Sequence, residues 1–363
     1  MIYYGVIYTR SLSNVGINPA PTTNYGGLDL SVNNSGQVDY KYYKVNPNPT
    51  QPLFFNVSPA INDYIPNSQS FVPTTIANVL AGTNTMQTDL YTLNQIDRYR
   101  NGVVIGAQIG TEYYWVGLKG YRDNELTITN DFYTPISHEV FINDFYSAYY
   151  NVNKPVGNIY MLLGYYQESR AHKVDYKNNR TGVVITIDLA ENKLQQIPYV
   201  HPDNIQDGNS VTIRYWYSPA IGAPSWITLK ECIFYPKQEC KYTPVTCDFI
   251  SKFGVWKRIF FYKASYLNLE MTNQMMKISD LGINQNRTFG TQGSLSIKVN
   301  TDWVGEEFNQ DLIELMTSEN ILIDGVPARM KTKSTELHRN INNKTINYTL
   351  EFDFNSDIIR KSL

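Results

Sequence analysis

A mainly β, multi-domain chain is what this sequence predicts. Three observations carry that expectation: a length of 363 residues, short apolar runs punctuated by Gly, Asn and Asp, and a proline-rich first hundred residues unlike the remainder. Domains run to roughly 100–200 residues, so the length fits two or three. Composition divides the chain into an extended Pro/Asn/Tyr-rich arm with a short helix over 1–100, an all-β sandwich- or barrel-like middle domain over 101–245, and a β-sheet module with one short packed helix over 246–363.

The first hundred residues hold only ten charged side chains but eight of the 17 prolines. Proline at that density breaks helices and central strands alike, which predicts extended backbone. Leu90, Leu93 and Asp97 fall at helical spacing and predict a modest helix over 85–98. The aromatics Tyr3, Tyr4, Tyr25, Tyr40, Tyr42, Tyr43, Phe54 and Phe55 need a surface to bury against. That surface is either the chain's own body or, as expected here, neighbouring subunits, where each buried Phe is worth about 1.5–3 kcal/mol.

From residue 101 the pattern is that of strands. Asn101-Gly102 is a two-residue hairpin signal. Residues 183–189 and 193–197 flank Ala190-Glu191-Asn192 and predict a second hairpin. Asp207-Gly208-Asn209 leads into a strand over 211–217. Short strands spaced by such turns indicate a sandwich or barrel.

The last third adds a helix. Leu295, Ile297, Val299, Thr301 and Trp303 alternate and are expected on one strand face. Glu306-Glu307-Phe308 then opens a helix with Phe308, Leu312, Leu315 and Met316 at i, i+4, i+7 and i+8. Its first-turn glutamates suit the positive end of the helix dipole. Asp324-Gly325 marks a turn. Over 346–354 every even position is apolar and every odd one polar, as in a strand with one wet face. A hairpin centred near Asn342 would set Lys333 opposite Glu351 and Lys331 opposite Asp353 on that wet face. The helix after Trp303 would cover the other face through Phe308, Leu312 and Leu315.

The sequence carries no G-x-S-x-G elbow, Walker loop, H-E-x-x-H or C-x-x-C. Cys232, Cys240 and Cys247 are too widely spaced for the tight ligand pair of a zinc site and are expected as small buried thiols. Asp203, Asp207 and Asn209 around Gly208 loosely suggest a calcium loop, but Ile205 sits where an oxygen ligand belongs, and a β-turn is the expectation. His138, His172, His201 and His338 lie far apart without a nucleophile pattern. No catalytic residue, metal or cofactor is expected.

A formal net charge of −2 argues against a surface built to grip nucleic acid. No stretch approaches the roughly 18 apolar residues of a membrane span, so membrane insertion is not expected. The opening octapeptide lacks the marks of a signal peptide, and three cysteines make no disulfide framework. Folding in a reducing cytoplasm is the simplest expectation. Asn at roughly one residue in ten, and 29 Tyr against 15 Phe, admit two readings: an AT-rich coding sequence, or a chain that makes many contacts, since Tyr is enriched at interfaces.

One stretch goes beyond generic pattern. Cys240-Lys241-Tyr242-Thr243-Pro244 is followed by Phe249 and Lys252-Phe253-Gly254-Val255-Trp256. Asn300-Thr301-Asp302-Trp303-Val304, Leu315-Met316-Thr317-Ser318-Glu319 and Lys331-Thr332-Lys333-Ser334 come next, and the last part runs from Ile341-Asn342-Asn343-Lys344 to Leu350-Glu351-Phe352. Over roughly 240–358 this resembles the C-terminal module of tail and ring structural proteins in crAss-like bacteriophages, which infect Bacteroidetes.

The resemblance implies a structural virion component, with no catalytic residues to carry over. Such proteins stack below the portal as homo-oligomeric rings, commonly of twelve copies, among other tail, ring and portal proteins. They line the conduit of the ejected genome and assemble in the host cytoplasm. Near-neutral charge suits DNA that passes without specific binding. The alternative reading is a host-receptor or cell-surface carbohydrate-binding module of a phage tail. Tyr113-Tyr114-Trp115, Tyr149-Tyr150, Tyr165-Tyr166 and Tyr215-Trp216-Tyr217 would supply stacking rings, although strand alternation turns about half of such residues into the core.

Overall fold

The computed structural model describes residues 145–154, 157–162, 171–189, 194–217, 222–237, 241–280, 283–337, 346–354 and 358–361; ahead of these it describes the backbone of eleven strands and Pro59. The protein is mainly β, its strands arranged in several sheets. It divides into two compact units, Met1–Pro236 with Lys252–Val255, and Lys237–Ser251 with Trp256–Leu363.

The first unit opens with β1 (Tyr3–Tyr8), β2 (Ser13–Ile17), β3 (Tyr25–Val32), β4 (Tyr40–Val45) and β5 (Leu53–Asn56). β6 (Leu90–Ile96), β7 (Tyr99–Arg100), β8 (Val103–Val104), β9 (Glu112–Leu118) and β10 (Leu126–Ile128) come next. The first hundred residues are therefore not a bare extended arm. β1, β3, β4 and β6 join β9 in a five-stranded sheet of order β1-β9-β6-β3-β4, and β2 and β5 join β10 in a second sheet. The expected helix over 85–98 is also corrected where the span is described, because Leu90–Ile96 is the strand β6 between β3 and β9. Two apolar positions at helical spacing are a weak pattern, and two neighbouring strands offer β6 a full ladder on both sides. Tyr3 and Tyr4 fall in β1, Tyr25 in β3, Tyr40, Tyr42 and Tyr43 in β4, and Phe54 and Phe55 in β5. Their side chains lie outside the described residues. The Asn101-Gly102 step does separate paired strands, with Arg100 opposite Val103 and Tyr99 opposite Val104.

The rest of this unit holds β11 (Val140–Phe141), β12 (Ala148–Tyr150), β13 (Asn158–Leu162), β14 (His172–Asn178), β15 (Val184–Leu189), β16 (Leu194–Pro198), β17 (Asn209–Tyr217) and β18 (Ser225–Pro236). They form a five-stranded sheet, β12-β18-β17-β14-β15, and a three-stranded one, β11-β13-β16. Val174, Tyr176, Val211, Ile213 and Phe234 of the first are buried, as are Ile159, Met161 and Ile197 of the second. Tyr176 Oη donates to the Pro198 carbonyl at 2.9 Å, and Tyr199 stacks on Phe234 at 4.7 Å, so the sheets meet through aromatic side chains.

The expected hairpin over 183–197 does not form. β15 pairs with β14, and β16 pairs with β13 in the other sheet. The turn that decides this lies upstream, where Asn178 Oδ1 accepts the N–H groups of Arg180 and Thr181 at 2.9 and 2.8 Å and Gly182 takes φ +72°. Asn locking its own following backbone is a turn former, and it gives β15 a partner on its N-terminal side. β17 begins where expected, after Gly208 at φ +77°, where a Cβ would lie 2.4 Å from the Phe234 carbonyl oxygen.

The second unit comprises β19 (Val245–Ile250), β20 (Trp256–Phe261), β21 (Tyr266–Asp280), β22 (Ile283–Asn300), α1 (Phe308–Thr317), β23 (Ile321–Ile323), β24 (Val326–Met330), β25 (Thr349–Phe354) and β26 (Ile358–Lys361). The sheet runs β20-β19-β23-β24-β25-β22-β21, with β26 also on β22. Its apolar face presents Phe249, Phe261, Ile297, Leu350 and Phe352 to Phe308, Leu312 and Leu315 of α1. The helix and the alternating strand β25 are thus where the sequence puts them. Asp324 and Gly325 take φ 47° and 81°, the paired positive angles that a tight hairpin turn requires.

Two expectations here need correction. The strand carrying Leu295, Ile297 and Val299 ends at Asn300, and Trp303 leaves the core to stand 59% exposed. The charge ladder is also displaced by two residues. Arg329 opposes Asp353, and Lys331, not Lys333, meets Glu351, at 3.0 Å with Asp353 at 3.7 Å. Lys333 is exposed. The register is set by Ala328, which is buried opposite Phe354 and fixed by the short turn before it. A symmetric hairpin about Asn342 ignores both constraints.

Candidate functional site

The turn that releases Trp303 is tightly specified. Asp302 takes φ +66°, a left-handed conformation costly for a residue with a Cβ. Its N–H donates to Asn300 Oδ1 at 2.9 Å, and its carbonyl accepts from Thr301 Oγ1 at 2.9 Å. That hydroxyl in turn accepts the Tyr348 N–H at 3.0 Å. The Asp302 carboxylate receives Lys237 Nζ at 2.5 Å and Lys263 Nζ at 3.1 Å, and Lys237 also lies 4.4 Å over the Tyr262 ring. Burial alone would push this carboxyl up, but the hydrogen bonds from Lys237 and Lys263 outweigh it and hold it below the ordinary carboxylate range. Val304 then pairs with Ile346 in both directions, at 2.9 and 3.2 Å. Trp303 is therefore an exposed indole pinned between two anchored residues.

Two buried ion sets also tie this module together. Asp248 and Arg258, directly opposed on β19 and β20, meet at 2.5 and 2.6 Å. Lys257 contacts Asp311 and lies 3.6 Å from Glu314 of α1, while Gln310 Nε2 donates to Glu314 at 3.0 Å. Sequence reasoning missed both sets. The signal that marks the second is an acid pair at i, i+3, Asp311 and Glu314, on the same stretch of helix as Leu312 and Leu315.

The third feature is β21. Ile297 opposes both Phe352 and Leu267, so these three share one face of the sheet. Along that row exposure rises from 0% at Phe352 and 6% at Ile297 to 65% at Leu267. The apolar face runs off the core onto an uncovered stripe of Leu267, Leu269, Met271 and Met275, with Tyr266 exposed on the other face.

In the first unit, Trp216 and Trp226 meet edge-on at 5.2 Å, with Lys173 Nζ 4.1 Å over Trp226. Arg214 pairs with Asp175 at 3.2 Å beside them. Tyr149 and Tyr235 are exposed and 5.7 Å apart. Tyr150 points the other way. It is buried, donates to the Ile205 carbonyl at 2.6 Å, and burial pushes its hydroxyl up to about 12. Tyr113, Tyr114, Trp115, Tyr165 and Tyr166 have side chains outside the described residues.

The Gly208 region does not converge on one point. Asp207 accepts from Asn178 at 3.1 Å and pairs with Arg180, whereas Asn209 bridges the His201 N–H and the Tyr199 carbonyl, and Asp203 is exposed. Cys232 and Cys247 are buried and burial raises both thiols, Cys247 well above its ordinary value, which leaves little reactive thiolate. Cys240, His138 and His338 lie outside the described residues.

No protein-family model matches the chain, and no curated protein matches it. Among solved structures, a marsupial T cell receptor is 8% identical, covering 81% of this chain and 94% of that one at a TM-score of 0.20. Another is described as a Ca2+-stabilised adhesin that helps an Antarctic bacterium reach out and bind ice. It is 9% identical, covering 79% and 69% at a TM-score of 0.19. Similarity at that level assigns neither fold nor function.

Proposed function

We propose that this chain is a structural virion protein that forms a homo-oligomeric ring in a phage tail or portal–tail connector and lines the genome ejection conduit. The observation that carries the reading is the pinned, exposed Trp303 within Asn300-Thr301-Asp302-Trp303-Val304, one of the segments on which the phage resemblance rests. Rigid exposed Trp residues are the typical anchors of protein–protein contacts. Exposed aromatic surface on each of the two compact units supports a chain that neighbours cover, as a ring within a stack requires. The ring acts as a scaffold rather than an enzyme, and DNA passes through it without specific binding.

Trp303→Ala tests this. The variant should keep the far-UV spectrum and thermal transition of the parent, because the side chain is outside the core, yet fail to form the native ring. A ring of unchanged mass and stability in Trp303→Ala would remove the support. The second reading, a carbohydrate-binding tail module, draws on Trp216, Trp226, Lys173 and Arg214. Retention of the chain on a glycan array, abolished by Trp226→Ala, would favour it over the ring.

A further inference from the structure

We propose that the open edge of β21 is a self-association site, where a second copy of this chain adds its own β21, antiparallel, about a two-fold axis at Met271. Among the described residues no strand pairs with that edge. Edge strands are normally blunted by proline, lysine, bulges or short length. β21 is 15 residues long and lacks proline; from Tyr266 to Gln274 it pairs with β22 without a register shift and carries one charge, Glu270, the shift falling between Gln274 and Met275 and Lys277 lying beyond it. Tyr266, Leu267, Leu269, Met271 and Met275 are each at least half exposed. The four on one face, Leu267, Leu269, Met271 and Met275, leave on the order of 400 Å² of apolar surface open, the size of patch that marks an interaction site, and a second copy of the strand alongside carries the same stripe across both chains.

The pairing register comes from elimination. A two-fold axis normal to the sheet keeps opposed residues on the same face, so residue sums must be even. An axis at Glu270 would set that carboxylate against its own copy. One at Thr272 would set Leu267 against Lys277, and one at Leu269 would leave Met275 beyond the partner strand. An axis at Met271 opposes Met271 to itself, Leu267 to Met275, Leu269 to Asn273 and Glu270 to Thr272, with no like charges facing. A two-fold contact stops at two copies and cannot close a ring, so this inference stands apart from the ring reading.

The test uses the full chain, with association followed by light scattering and cysteine variants oxidised mildly beside the parent. Met271→Cys should yield a disulfide-linked dimer, because the Cα atoms opposed across an antiparallel pair fall within disulfide reach. Leu269→Cys and Asn273→Cys, displaced from the axis, should not link to themselves. Thr272→Glu, which faces Glu270 twice across the axis, should weaken pairing by about tenfold, while Thr272→Lys should not weaken it. Thr272 is exposed, so neither variant should alter the melting transition. A parent chain that never pairs, a self-link at 269 or 273 in place of 271, or a Thr272→Glu variant that associates like the parent would overturn the proposal. A large ring indifferent to Thr272→Glu would keep the ring reading and overturn this one. A Met271→Cys variant that links to itself, in a chain that never exceeds two copies, would do the reverse.

Discussion

At the scale of single residues, asparagine and aspartate do most of the local specification. Asn178 closes the β14–β15 turn and also donates to Asn204 and Asp207, and Asn209 ties the backbone at Tyr199 and His201. The Asn-rich composition thus has a structural use, whatever its coding origin. Asp302 carries the sharpest residue-level prediction. Its folded value lies below the ordinary 3.8, so its stabilising contribution is complete above about pH 4 and is lost as pH falls through the folded value. Asp302→Asn should cost about 1–3 kcal/mol at neutral pH. It should also flatten the acid end of the stability curve, read by denaturant titration at pH 7 and pH 3. The Asp324-Gly325 turn was legible because its residue types demand positive φ. Asp302 was not, because the apolar alternation of Leu295 to Trp303 runs straight through it.

At the scale of elements, period is legible and partnership is not. The helix comes from Phe308, Leu312 and Leu315 at 3.6-residue spacing, and β25 from strict alternation of apolar and polar positions. Leu312 is fully buried, so Leu312→Ala should lower unfolding stability by about 2–5 kcal/mol in a urea titration. Lys257 sits inside the same module. Lys257→Met would leave the Asp311 and Glu314 carboxylates buried without their cation, at about 3–5 kcal/mol. Restoring balance with Asp311→Asn and Glu314→Gln beside it should recover part of that loss, which a thermal melt of the triple variant would show. Alternation in 184–189 identifies a strand but not that it folds back on β14, since that choice lies in the Asn178 side chain. Leu90–Ile96 goes further wrong, because its helical spacing rests on two leucines while its ladder partners in β3 lie 59 to 69 residues away, from Val32 opposite Tyr91 to Gly27 opposite Ile96.

At the scale of the whole molecule, a mainly β, multi-domain chain was legible from turn density and length. The first hundred residues were harder, because a shortage of charge and an excess of proline describe poor helices and do not show which strands pair. β1, β3 and β4 belong to a sheet completed by β6 and β9, so deleting residues 1–75 would strip three of five strands and report on folding as much as on assembly. The ring is tested more directly by the native mass spectrum of the intact chain at micromolar concentration and physiological salt. A tail ring should give one closed assembly of near twelve copies of the 41.7 kDa chain, about 500 kDa, replaced by smaller species in Trp303→Ala. A spectrum of monomer alone, or of a trimer unaffected by Trp303→Ala, would contradict it.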